Sequence, residues 1–237
     1  AYLSTEAGLR NGSIWANCMW LKGVVMKAHY NGLIPRNPFI QFHISPNVKE
    51  REYLTEDELK AVMTHEFADS KLAYIRDIFI FASFTALSFV DIQELTNDNI
   101  VEVNGEKWIL SKRHKTKVAF QVKLLDIPLQ IVERYRPMQK DNRIFPGLNY
   151  WSICKPLKRM IRECGITKSI SFHCSRHGFA TLALSKGMPI ESVSRVLGHT
   201  NIVTTQLYAK ITTQKLDNDL TMFGDKLSKT FNGITMS

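Results

Sequence analysis

The chain has 237 residues, enough for one large domain or for one domain and part of a second. Hydrophobic residues make up 44% and charged residues 22%, the balance of a soluble globular protein, and charges interrupt every apolar run before the roughly 18 residues of a membrane span. The net charge of +9 favours a polyanionic partner, most simply through phosphate contacts. The opening AYLSTEAGLRNGS has no basic stretch followed by an apolar core, so it does not read as a signal peptide. Cys18, Cys154, Cys164 and Cys174 form no CxxC pair and read as reduced thiols of a cytosolic protein.

In chain order, Ile14, Cys18, Leu21, Val25 and Ala28 recur every three or four residues and predict a helix over 4–30, stopped by Asn31-Gly32. The exit Ile34-Pro35-Arg36-Asn37-Pro38 is turn-rich, and 38–51 reads as an irregular linker. One helix cannot bury its own apolar face, so this first unit (1–48) is expected to be the end of a domain whose start is absent. The second unit (49–237) opens on a capping box, Thr55 with Glu58. A helix to about His65 follows, then a strongly apolar helix from Asp69 or Ser70 and a short one over Asp91 to Leu95. Asn104-Gly105 between two short apolar runs predicts a two-residue hairpin, and a third strand is expected over 118–127, after the basic tip at 112–117. Pro128 is expected to open a helix to about Tyr135. Helices are then predicted from Asn149 to Gly165, over 172–186, over 189–197, and after Asn201 to carry Tyr208. The tail from 212 shows a weaker helical patch around Leu216, Leu220 and Phe223. The fold class is mainly α with a small antiparallel sheet (α+β).

The stretch from Ser171 to Tyr208 carries the chemistry. His173 and Arg176 lie three apart on a helix and share a face. His199 follows a helix-ending Leu197-Gly198, and Tyr208 comes nine residues later. Cutting a phosphodiester without a metal takes a nucleophile, donors for the growing phosphate charge and an acid for the leaving oxygen. A phenol with a pKa near 10 serves only with cationic neighbours, and an arginine fork suits the phosphate. Residue by residue, blander readings stay open: a surface His–Arg pair, a histidine at a helix end, a structural tyrosine. His173 and His177 at i, i+4 could hold a metal, but no adjacent carboxylate completes a ligand set.

The ordered set H-x-x-R, L-G-H and Y resembles the signature of the tyrosine recombinase (phage integrase) family. Arg176-His177-Gly178-Phe179-Ala180-Thr181 and Thr204-Thr205 agree with it, and the match runs from Thr55 to Lys210. The resemblance implies a catalytic domain preceded by the end of a helical core-binding domain, without metal or other cofactor. By the same resemblance, Tyr208 attacks the scissile phosphate to form a 3′-phosphotyrosine, Arg176 clamps the non-bridging oxygens, His199 donates to the phosphate and His173 assists proton transfer. Lys115, on the turn between two strands, protonates the leaving oxygen. The implied setting is integration or excision of a mobile element or phage, by a tetramer on double-stranded DNA with accessory DNA-bending proteins, in the bacterial cytoplasm. The C-terminal patch would dock on a neighbouring protomer. Alternatives are a DNA-binding relative with a decayed site, or a type IB topoisomerase.

One position departs from the family pattern. Where T-G-L-R is expected the chain has Thr85-Ala86-Leu87-Ser88, so a first arginine is replaced by Ser88. In an extended segment Arg113 leaves on the same face as Lys115, two residues on, and is expected to supply the missing cation. The alternative is a solvated hairpin arginine that touches DNA backbone elsewhere. Asp91, near Ser88, is expected either to hold a neighbouring side chain or to cap the next helix.

Overall fold

The computed structural model describes residues 2–43, 45, 52–114, 117–139, 141–209, 213–230 and 232. The chain divides into two compact units, Ala1–Arg51 and Glu52–Ser237.

In the first unit, α1 (Tyr2–Thr5) and α2 (Asn11–Tyr30) replace the single helix expected over 4–30. The break falls at Gly8, whose φ of +61° takes the left-handed turn that a helix interior does not allow. The predicted stop is present: Asn31 N–H donates to Lys27 O at 3.0 Å and Gly32 turns with φ +71°. Of the linker expected over 38–51, only 38–43 and 45 lie among the described residues.

The second unit opens on α3 (Glu56–Thr64). Glu58 N–H donates to Thr55 Oγ1 at 3.3 Å and Thr55 N–H to Glu58 Oε2 at 2.7 Å, which completes the capping box. Helix α4 (Ser70–Thr85), with Asp69 as its N-cap, is the central element. Ile75, Ile78, Phe79 and Phe81 are closed to solvent, as its apolar run requires. It meets α3, α6 (Asp126–Tyr135), α7 (Tyr150–Glu163) and α8 (His173–Ser185), so the core surrounds it. Helix α5 (Phe89–Gln93) starts two residues earlier than expected because Ser88, not Asp91, is its N-cap.

The sheet is antiparallel in the order β1 (Ile100–Val103), β2 (Glu106–Lys112), β3 (Ala119–Lys123). Asn104 and Gly105, with φ +53° and +78°, form its first turn and set Ile100 opposite Ile109. Ile109, Phe120 and Val122 face the core. Strand β3 ends at Lys123, short of the expected 127, because α6 begins at Asp126. Pro128 then sits in the first turn, where its missing N–H leaves no intrahelical bond unmade. After α8 come α9 (Ile190–Leu197), α10 (Val203–Gln206) and α11 (Thr213–Thr230). Helix α10 stops short of Tyr208, which was expected on it, and Tyr208 N–H instead closes a turn onto Thr205 O at 3.0 Å. Beneath this region a second small cluster of Ala86, Ala180, Leu184, Val193 and Leu197 carries Tyr208 on its edge. Among the described residues no helix is long and apolar enough to cross a membrane.

Candidate active site

The site is built on the C-terminus of α9. Gly198 caps that helix in the left-handed conformation, φ +63°, and leaves the last carbonyls without intrahelical donors. Two arginines fill them. Arg113 Nη2 donates to Val196 O at 2.5 Å, and Arg176 Nη2 donates to Leu197 O. A helix C-terminus carries partial negative charge, so it holds a pair of cations that would otherwise repel. Arg176 Nη1 also donates to Ala86 O at 2.7 Å. Ala86 presents that carbonyl from a left-handed turn, φ +56°, at the end of α4, a conformation that costs a non-glycine residue about 1–2 kcal/mol.

Arg113 follows β2 directly and is only 5% exposed, which excludes the solvated hairpin arginine. Its Nη1 lies 2.7 Å from Asp91 Oδ2, and its guanidinium carbon sits 4.0 Å from the centre of the Phe120 ring. Asp91 also accepts from Ser88 Oγ at 2.7 Å, Ser88 N–H at 3.1 Å and His114 N–H at 3.1 Å. Burial pushes the Asp91 carboxyl up, but these donors and the Arg113 charge outweigh it and hold it below its ordinary range. Of the two roles expected of Asp91, holding a neighbouring side chain is the one it takes; the N-cap of α5 is Ser88, and Asp91 is the third residue of that helix. Ser88 spends its hydroxyl on Asp91 and brings no charge. A Cβ on Gly198 would meet Arg113 Cγ at 2.9 Å, so only glycine lets this arginine lie so close to the helix end. Arg113 Nε is buried without a hydrogen-bond partner, a donor kept at a cost of about 1–3 kcal/mol.

Around these cations stand His199, Tyr208, His173 and His177. The His199 and Tyr208 rings stack at 6.5 Å, the His177 ring is 5.0 Å from Tyr208, and His173 is 4.8 Å from His177. Burial, then the charges of Arg176, Arg113 and His173, draws the His199 pKa down to about 4, so its imidazole is neutral at pH 7. Burial and then the Arg113 charge draw Arg176 down to about 10, which still leaves it fully protonated there. The arrangement offers two permanent cations, a neutral imidazole and a half-buried phenol within one small volume. Of the sequence-predicted residues, Tyr208, Arg176, His173, His199 and Arg113 converge here; Lys115 lies outside the described residues. Among the described residues no group of three His, Cys, Asp or Glu is placed to hold a metal.

Sequence reasoning missed five contributors, three of them main-chain carbonyls. The carbonyls of Ala86, Val196 and Leu197 have no side-chain signature. His177 stood out only as half of a metal pair. Thr205, fully buried with Oγ1 2.8 Å from His199 Nδ1, had appeared only as a residue flanking the tyrosine.

Comparison with known proteins shows the family and the fold. Residues 52–215 match the model of the phage integrase family. Tyrosine recombinase XerA of Pyrococcus horikoshii is 32% identical over 177 residues, which cover 69% of this chain and 58% of that protein. Tyrosine recombinase XerC of Lactobacillus leichmannii is 25% identical over 229 residues, 90% of this chain and 77% of that protein. In fold, the chain is similar to the integrase of the Tn1549 transposon, solved in complex with a circular intermediate DNA. The TM-score is 0.78 at 18% identity, over 92% of this chain and 82% of that one. The chain belongs to the phage integrase family, the tyrosine recombinases.

Proposed function

We propose that this chain is the catalytic part of a site-specific recombinase that cuts and rejoins double-stranded DNA through a 3′-phosphotyrosine, in integration or excision of a mobile element. The observation that carries the reading is the pair of buried guanidiniums, Arg113 and Arg176, docked on adjacent carbonyls at the end of α9 beside Tyr208 and His199. A phosphodiester carries one negative charge and gains a second as the phenolate adds. Two guanidiniums, one of them paired with the Asp91 carboxylate, leave net positive charge beside the phosphate, and in a partly dry site it stabilises the added charge strongly.

In this reading Tyr208 Oη bonds to the phosphorus while the bond to the 5′ oxygen breaks. The departing oxygen takes up a proton and leaves as a 5′-hydroxyl. Attack by a 5′-hydroxyl on the phosphotyrosine reverses the step, so the bond energy is conserved and no nucleotide is consumed. Neutral His199 donates an N–H to one of the two non-bridging oxygens, Arg176 and Arg113 hold the pair, and His173 assists proton transfer at the phenol. Lys115 keeps its role as acid for the leaving oxygen. The buried Asp91 pair and the orphaned Arg113 Nε support Arg113 as the cation in place of the arginine missing at Ser88.

Strand exchange needs several protomers on DNA, and we assign α11 to contacts between them. Leu216, Leu220, Phe223 and Leu227 follow one another at helical spacing and are all exposed. We assign the first unit to a core-binding domain. The test is a DNA duplex nicked next to the cut so that religation is impossible. The wild-type chain is expected to trap a covalent adduct, and Tyr208→Phe to bind the same DNA without forming one. Binding with no adduct from the wild-type chain would refute the reading.

A further inference from the structure

Thr205 sits between the two groups that this reading places on the phosphate. It lies in α10, closed to solvent, with its hydroxyl 2.8 Å from His199 Nδ1. Its carbonyl accepts from Tyr208 N–H at 3.0 Å, and its own N–H is spent on Ile202 O at 2.7 Å. One buried residue is thus bonded to the imidazole through its side chain and to the tyrosine through its main chain.

A neutral imidazole carries one N–H and one lone pair, and the partner of one nitrogen decides what the other presents. With two guanidiniums nearby, the doubly protonated ring is disfavoured, so one of two neutral tautomers must be selected. A threonine hydroxyl can donate or accept. If it accepted from Nδ1–H, Nε2 would turn a lone pair toward an incoming phosphate, two electron-rich groups face to face. If it donates to Nδ1, Nε2 carries the hydrogen and offers it to the phosphate.

We propose that Thr205 is a positioning residue whose hydroxyl donates to Nδ1 and locks His199 as the Nε2–H tautomer, making it a phosphate donor. The proposal rests on the recombinase reading for its consequence but not for its first test. Nitrogen-15 spectra of the free chain, labelled at its seven histidines, identify the His199 tautomer, with the resonance lost in His199→Gln giving the assignment. The wild-type chain is expected as the Nε2–H form and Thr205→Val, equal in shape but without the hydroxyl, as a mixture. In the nicked-duplex assay Thr205→Val is expected to slow adduct formation about tenfold, because only part of the His199 population is then the donor tautomer and the ring is no longer held in place, with DNA binding unchanged. Thr205→Ser is expected to restore the rate to within a few-fold. An Nδ1–H tautomer in the wild-type chain, a wild-type rate in Thr205→Val, or no recovery in Thr205→Ser each overturns the proposal. A wild-type chain that forms no adduct refutes the recombinase reading instead, while the spectra still decide the tautomer.

Discussion

Arg113 and Asp91 form an ion pair at 2.7 Å in which both side chains are almost closed to solvent. Removing one member of a buried pair leaves a bare charge, which costs about 3–5 kcal/mol. Asp91→Ala also strips an acceptor from Ser88 and His114. It is expected to lower the melting temperature by many degrees, and Asp91→Asn, which keeps an oxygen for the guanidinium, by clearly less. Thermal unfolding of the two variants checks the order.

If Arg113 supplies the second cation, Arg113→Ala loses a fixed charge beside Arg176. Adduct formation on the nicked duplex should then fall about 10²–10³-fold, the loss typical of one transition-state donor. Adding Ser88→Arg to that variant places an arginine beside Asp91 again and should recover part of the rate. Equal rates for Arg113→Ala and the wild-type chain would remove Arg113 from the chemistry.

Gly198→Ala tests the seat of the same arginine. The added methyl meets Arg113 Cγ at 2.9 Å, at a φ of +63° that alanine tolerates poorly. A loss of about 1–3 kcal/mol in urea unfolding is expected, with adduct formation reduced more than DNA binding.

His199 makes stability depend on pH in a definite window. Its pKa falls from an ordinary 6.5 to about 4 in the fold, chiefly through burial and then through Arg176, Arg113 and His173. The unfolded chain therefore takes up a proton as the pH drops below 6.5, while the folded chain waits until about 4. Across that interval the unfolded state binds more protons, so stability falls with falling pH and this contribution levels off below it. His199→Gln should flatten this part of the curve. Asp91, depressed from 3.8, loses its contribution only at more acid pH, so the two are separable.

Phe223→Asp puts a charge into the exposed stripe of α11. Assembly on DNA, followed by gel mobility or mass, should weaken at the level of higher-order complexes. The stability of the isolated chain should not change, because the side chain covers nothing in the described core.

Much of the second unit could be read from residue pattern because local rules decide it. The Thr55–Glu58 box, the Asn104-Gly105 turn and the glycines at 165, 187 and 198 each act within a few residues. The chemistry-bearing residues from His173 to Tyr208 were legible for the same reason, lying on or just after consecutive helices. The helix break at Gly8 and the early start of α6 escaped because a single glycine or proline fits more than one position. What spacing could not convey is the reach between 113 and 196, 91 and 113, or 86 and 176, since these contacts join distant segments, the first and last of them through main-chain carbonyls. Thr205 was visible only as a neighbour of the tyrosine; its link to His199 needs the turn at Gly198 to fold back.

Both arginines are tethered to peptide oxygens at 196 and 197, and every amino acid brings such an oxygen. The tether therefore does not depend on the side-chain chemistry at 196: an apolar exchange of Val196 that keeps the helix and its packing leaves the acceptor for Arg113 in place. A volume-conserving change in that side chain removes no bond at the phosphate site, whereas a single methyl at Gly198 meets Arg113 directly. The heritable part of this anchor is a backbone shape with one vulnerable letter.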